Sequence, residues 1–163
     1  MFKKILLPTD GSVLSSLALD KAVAFAKSIN AAIYGFHALP DYAVPVHGVD
    51  VYSASKFRDF AEKEARGFLA EIEAKAKDAG VPCMTGFSVN FSPYRAIIDA
   101  AKEQDCDLIF MASHGRRGLS GLLLGSETQK VLTHSNIPVL VFRDESTERG
   151  LREAMDEMND FRT

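Results

Sequence analysis

Five short apolar runs, Lys4–Pro8, Ala32–Leu39, Cys83–Val89, Leu108–Ala112 and Val139–Phe142, alternate with longer segments whose apolar residues return at helical spacing. Each run is short enough to cross a sheet and apolar enough to be covered on both faces, as parallel strands are. Right-handed crossovers between such strands wind helices onto both sides of one sheet. The expected fold is therefore α/β: an open, doubly wound, Rossmann-like five-stranded parallel sheet with helices on both faces.

The intervening segments carry their own start and stop signals. Leu14, Leu17, Ala18, Val23, Ala24 and Ala26 make a broad apolar face for a first helix, with Asp10 or Ser12 as its cap and Asn30 near its end. A second helix is expected over about 55–78, where Phe57, Phe60, Ala61, Phe68, Leu69 and Ile72 recur, and Gly80 with Pro82 stops it. Ser92-Pro93 reads as cap and first position of a third helix through Lys102. A fourth begins near Ser126 and ends before Asn136 and Pro138.

Composition narrows the partners. With 163 residues, 47% of them hydrophobic and 25% charged, the chain fits one globular domain with a substantial core. A net charge of −3, with no basic cluster denser than Lys3-Lys4 or Arg116-Arg117, gives no footprint for nucleic acid. Pro8, Thr9 and Asp10 interrupt the opening apolar run before it could act as a signal peptide, and no segment is long enough to span a bilayer. Cys83 and Cys106 stand far apart in or beside apolar runs, which favours buried thiols and a reducing, cytoplasmic setting over a disulfide.

The segment from Met111 to Thr128, MASHGRRGLSGLLLGSET, leaves a strand, turns through glycines and enters a helix at Ser126. Glycine at 115 and 125 lets the backbone adopt positive φ or approach a ligand closely, and the helix start that follows offers unpaired N–H donors at a positive dipole end. A phosphate suits such a place. In a doubly wound sheet a ligand sits beyond the carboxyl ends of the strands where their order reverses. Pro8-Thr9-Asp10-Gly11-Ser12, Ala38-Leu39 and Met111 through Gly115 each follow or end a strand there. A mobile loop closing a strand end is the bland alternative, and the company of Asp10 weighs against it.

Ile5-Leu-Leu-Pro-Thr-Asp-Gly-Ser12, Asp107-Leu-Ile-Phe-Met-Ala-Ser-His-Gly115 and Gly125-Ser126, ending in Asn136-Ile-Pro-Val-Leu-Val141, resemble the universal stress protein family over roughly the first 143 residues. The nucleotide-binding branch of that family carries G-x-x-G, nine residues, then G-[S/T]; here Ala112 replaces the first glycine. The resemblance implies an adenine nucleotide alpha hydrolase-like fold in residues 1–143, with 144–163 as an extension, a short helix or disordered chain. It implies a pocket for ATP, alone or with Mg2+: Pro8, Thr9, Asp10 and the backbone of Ala38 near the adenosine, Met111 and Ala112 beside the ribose, and Gly115, Gly125, Ser126, Glu127 and Thr128 along the triphosphate. If position 112 needs a glycine conformation, Ala112 costs about 1 kcal/mol, or about fivefold in affinity; if it is ordinary strand, the cost is small. The resemblance also implies a homodimer paired edge to edge through 138–142, an apolar edge that would otherwise stand open.

No catalytic residue is assigned, because neither Ser126 nor Asp10 has a partner that would activate it and no acid–base pair stands out. His37, His47 and His134 lack ligand spacing, so no metal site is read beyond a cation arriving with ATP, and His114, alone in a glycine loop, reads as a solvated or backbone-bonded residue with no catalytic role. The expected role is a nucleotide-responsive regulatory module in a stress response. Two alternatives stay open: a structural, partner-binding dimer with a vestigial site, and a slow ATP-hydrolysing or adenylating enzyme. The apolar connection 40–52 suggests a lid or a partner contact, and Leu151, Met155 and Met158 could line a short acidic helix.

Overall fold

The computed structural model describes residues 1–39, 51–115 and 124–144. Among them β1 (Lys4–Pro8), α1 (Val13–Ile29), β2 (Ala32–Leu39), α2 (Val51–Ala79), β3 (Cys83–Val89), α3 (Pro93–Glu103), β4 (Leu108–Ala112), α4 (Ser126–His134) and β5 (Val139–Phe142) follow one another. The strands pair in parallel in the order β3-β2-β1-β4-β5. The chain thus steps outward from β1 to β3, returns to the centre and steps outward again through β4 and β5. Ile5 registers with Leu108 and Leu6 with Ile109 at that reversal. The loops leaving β1 and β4 consequently diverge to opposite faces and open a crevice between them.

Alternation along the central strands divides the core in two. Ile5, Leu7, Leu108 and Phe110 pack with Ala18, Leu19, Ala22 and Ala26 of α1 and Leu69 and Ile72 of α2. Leu6, Ile109 and Met111 point the other way, against Ala96, Ile97 and Ala101 of α3 and Val131 of α4. Ile5, Leu6 and Leu7 are at most 1% exposed, and each such burial contributes about 1.5–3 kcal/mol. Both faces of β1 are therefore sealed, and only its carboxyl end is left to meet a ligand.

The helix ends explain where the loops can go. Ser12 caps α1, its Oγ accepting the Ser15 N–H at 3.2 Å, while Asn30 closes the helix in the left-handed region at φ 57°. Of the two candidate caps, Ser12 holds the place; Asp10 instead accepts the Ser12 N–H at 3.0 Å. Helix α2 starts at Val51, earlier than position 55, and Phe57 and Phe60 are 57% and 63% exposed rather than part of the core. The buried stripe is Ala61, Ala65, Leu69, Ile72 and Ala76, a rise of about 23 Å. That matches the length of a seven-residue strand, about 23 Å; Phe57 lies a turn before this stripe, and Phe60, next to Ala61, falls on the outward side of the helix with residues 64, 67 and 71. Close approach is enforced at Gly35, where a Cβ would stand 3.0 Å from Ile72.

Burial pushes both thiols up, from 9.0 to about 11 for Cys83 and likewise to about 11 for Cys106. Because the folded state holds these protons longer than the unfolded chain, their contribution to stability is complete below about pH 9 and declines as pH rises toward 11. Native protein at pH 8 is expected to react with iodoacetamide far more slowly than the same protein in denaturant; equal rates would show the thiols to be accessible.

Arg116, Arg117, the expected lid through residue 50 and the tail beyond Asp144 lie outside the described residues. Among the described residues no helix is long and apolar enough to cross a membrane.

Candidate functional site

The β1–α1 loop is held by short polar contacts that follow from its sequence. Pro8 ends β1 opposite Phe36, and the next N–H, of Thr9, donates to the Phe36 carbonyl at 2.9 Å. The Thr9 hydroxyl lies 3.2 Å from Ser15 Oγ and accepts the Gly11 N–H at 3.2 Å. Gly11 takes φ +73° with the Phe68 ring directly where a Cβ would project. His37 Nδ1 is 2.7 Å from the Thr9 carbonyl; a carbonyl only accepts, so that nitrogen carries the proton. Its ring leans on Phe68 at 5.5 Å. Ala38, half-buried and one residue from the end of β2, completes this side.

Across the crevice, β4 ends at Ala112. Met111 is 6% and Ala112 7% exposed, and they face opposite cores: Met111 the α3–α4 side, the Ala112 methyl the α1 side. Ala112 belongs to the strand and has no positive φ. The replacement of the motif's first glycine therefore requires no glycine conformation and turns its methyl into the core. Ser113 is fully buried, donates its N–H to the Phe142 carbonyl at 2.8 Å, and pairs its hydroxyl with His114 Nδ1 at 3.1 Å.

The two loops meet at Gly115. The Asp10 carboxylate occupies the space a Cβ on residue 115 would need. Gly125 is packed closely but less tightly, since a Cβ there would stand 3.3 Å from both His114 Cα and the Ser113 carbonyl oxygen. Neither glycine adopts positive φ; the expectation of left-handed backbone is corrected, and close approach is what disfavours a side chain, strongly at Gly115 and mildly at Gly125.

The start of α4 is tied to its surroundings at three residues. The Gly125 N–H is taken by the Ser113 carbonyl at 2.8 Å, so it is not offered to an anion. The Thr128 hydroxyl is buried and donates to the Ala112 carbonyl at 3.1 Å, which ties α4 to β4. Glu127 turns to α3, accepting the Tyr94 N–H at 2.9 Å and lying 2.7 Å from Lys130 Nζ. Ser126 remains exposed at the first helical position, and the N–H groups of this first turn have no carbonyl of their own helix to bond. An anion is the natural complement of such a turn.

In the sequence, the spacing of His37 to the other histidines carries no meaning. Its position beside Ala38 at a strand's carboxyl end is the signal that places it. Among the described residues no group of three or more His, Cys, Asp or Glu gathers to hold a metal.

The crevice at the β1/β4 reversal, with its glycine loop and capped turn, accords with what the chain resembles in other proteins. The profile of the universal stress protein family matches residues 1–143. The chain belongs to the universal stress protein family. Within that family it is 35% identical over 149 residues to YxiE of Bacillus subtilis, covering 88% of this chain and all of that one. The solved structure of MJ0577 of Methanocaldococcus jannaschii superposes with a TM-score of 0.76 at 29% identity, covering 88% and 97% of the two chains. A universal stress protein solved in complex with cAMP matches with a TM-score of 0.64 at 26% identity, covering 87% and 97%. Family members of this fold thus include one that holds an adenine nucleotide.

Proposed function

We propose that this universal stress protein binds an adenine nucleotide, ATP alone or with Mg2+, in the crevice between the β1–α1 and β4–α4 loops. One observation carries the reading: Asp10 and Gly115, from opposite sides of the strand reversal, touch beside the start of α4, where Gly125 supplies no side-chain cap. The carboxylate of Asp10 suits the hydroxyl and amino donors of a nucleoside and repels phosphate, which orders the ligand along the crevice. The adenosine then lies against Pro8, Thr9, Asp10 and the backbone of Ala38, and the ribose passes the main chain of Met111 and Ala112. The phosphates run beside Gly115 to Ser126 and the first-turn N–H groups of α4, with Gly125 admitting the backbone closely. The nucleotide-bound relative supports this choice of ligand.

Residues 1–143 constitute the nucleotide-binding domain and 144–163 an extension. With no activated nucleophile among the described crevice residues, the protein acts as a nucleotide-responsive regulatory module in a stress response rather than by rapid turnover. Strand β5, bonded to β4 on one side, presents its other edge and four half-buried side chains, Val139 to Phe142. A second copy pairing along that edge satisfies both its backbone and its apolar surface. Native mass spectrometry tests both statements at once: the expected species is a dimer that carries adenine nucleotide, or takes it up from millimolar ATP. A dimer that stays empty in ATP favours the structural-partner alternative, and a monomer removes the edge pairing.

A further inference from the structure

Resting on the nucleotide reading above, we infer that Glu127 is a positioning residue that fastens the anion-binding turn of α4 to α3, and that it is not a ligand to phosphate or cation. Residues 127, 130 and 134 fall on one stripe of α4, and all three bear on Tyr94. Glu127 Oε2 accepts the Tyr94 N–H at 2.9 Å, Lys130 Nζ stands 5.6 Å from the centre of the Tyr94 ring, and the His134 ring lies 5.3 Å from it. Lys130 Nζ also holds Glu127 Oε1 at 2.7 Å, which fixes the carboxylate in place.

The bond answers a need in α3. Ser92 occupies the cap position but makes no side-chain hydrogen bond to the helix, and Pro93 follows as the first helical residue. Tyr94 therefore carries an N–H that its own cap leaves unmet, and the carboxylate of Glu127 meets it from the neighbouring helix. Thr128, the next residue, ties the same turn of α4 to the Ala112 carbonyl. Two successive side chains thus clamp the turn between α3 and β4, which sets where its N–H groups aim.

The charge arrangement follows. A carboxylate in the first turn ordinarily offsets the positive end of its own helix. Here Glu127 is engaged by the N-terminus of α3 and by Lys130, so the donors of α4 are left to an external anion. A phosphate facing that carboxylate would be repelled; one facing the opposite side of the turn is not.

Calorimetry on the full chain with adenosine and with AMP separates these possibilities. Glu127→Ala and Glu127→Asp, whose carboxylate is one methylene short of Tyr94, are expected to weaken AMP about tenfold and leave adenosine unchanged. Glu127→Gln keeps the acceptor and is expected to stay within about twofold of the parent, since only an exposed ion pair is lost. Unchanged AMP affinity in Glu127→Asp overturns the inference. Tighter AMP binding in both Glu127→Gln and Glu127→Ala overturns it too, because it would mean the carboxylate faces the phosphate. A parent protein that binds neither ligand overturns the nucleotide reading itself, and this inference with it.

Discussion

Gly115→Val is expected to weaken ATP binding by about a hundredfold, enough to erase a saturable isotherm at ordinary calorimetric concentrations. The reason is the neighbour: the Asp10 carboxylate already stands in the volume a Cβ would claim, and a β-branched side chain would push it out of the crevice. Asp10 also accepts the Ser12 N–H, so its displacement disturbs the turn that leads into α1. Gly125→Ala is expected to be milder, because its Cβ would meet His114 Cα and the Ser113 carbonyl at 3.3 Å, a contact relieved by shifts of a few tenths of an ångström. Ala112→Gly serves as the control and should leave affinity within about twofold, since the methyl it removes faces the α1 side of the core. Circular dichroism must show Gly115→Val folded, as its exposed position predicts. Full ATP affinity in that variant would mean the ligand does not pass between the two loops.

The sheet was legible because apolar runs bounded by turn residues leave a parallel strand few alternatives, and all five strands have the bounds their sequence suggests. Helix α2 was less so. Periodicity marks Phe57 and Phe60 as apolar and helically spaced, yet the sheet covers only the narrower stripe through Ala61, Ala65, Leu69, Ile72 and Ala76, and no local pattern states where that stripe begins or which edge of the apolar face it takes. The caps show the same limit: Asp10 and Ser12 are equally good acceptors by type, and only the φ of Gly11 and the start of α1 decide which one reaches the helix.

In the candidate site, position was readable and function within it was not. Gly115, Gly125, Ser126, Glu127 and Thr128 do gather with Asp10 at one end of the sheet, as the spacing of strands and loops implies. Whether a hydroxyl or carboxylate there points at a ligand depends on competing acceptors and donors from distant parts of the chain. Thr128 answers to the carbonyl of Ala112 and Glu127 to the N–H of Tyr94, neither of which its own neighbourhood reveals. The role of His37 is hidden from a local pattern for a related reason, since its partner is the carbonyl of Thr9, 28 residues earlier.

Gly11→Val carries the largest expected loss of stability. Residue 11 sits at φ +73°, a region that costs a β-branched residue about 1–2 kcal/mol, and its Cβ would overlap the Phe68 ring, an overpacking worth about 1–3 kcal/mol more. Together these lower stability by about 2–5 kcal/mol, which for a domain of this size is about 5–15 °C in Tm. Urea denaturation should show a fall in midpoint with little change in slope, because the native state keeps its buried area. Gly11→Asn divides the effect, since asparagine tolerates the left-handed region but still brings a Cβ against Phe68, and it is expected to fall between the parent and valine. Phe68 in turn leans on His37, whose Nδ1 holds the Thr9 carbonyl. Displacing the ring therefore loosens the loop that carries Thr9 and Asp10, and nucleotide affinity should decline along with the midpoint. A Gly11→Val protein with an unshifted midpoint would mean that the loop does not pass beneath Phe68 in the left-handed conformation, and the link from α2 to the crevice would be lost.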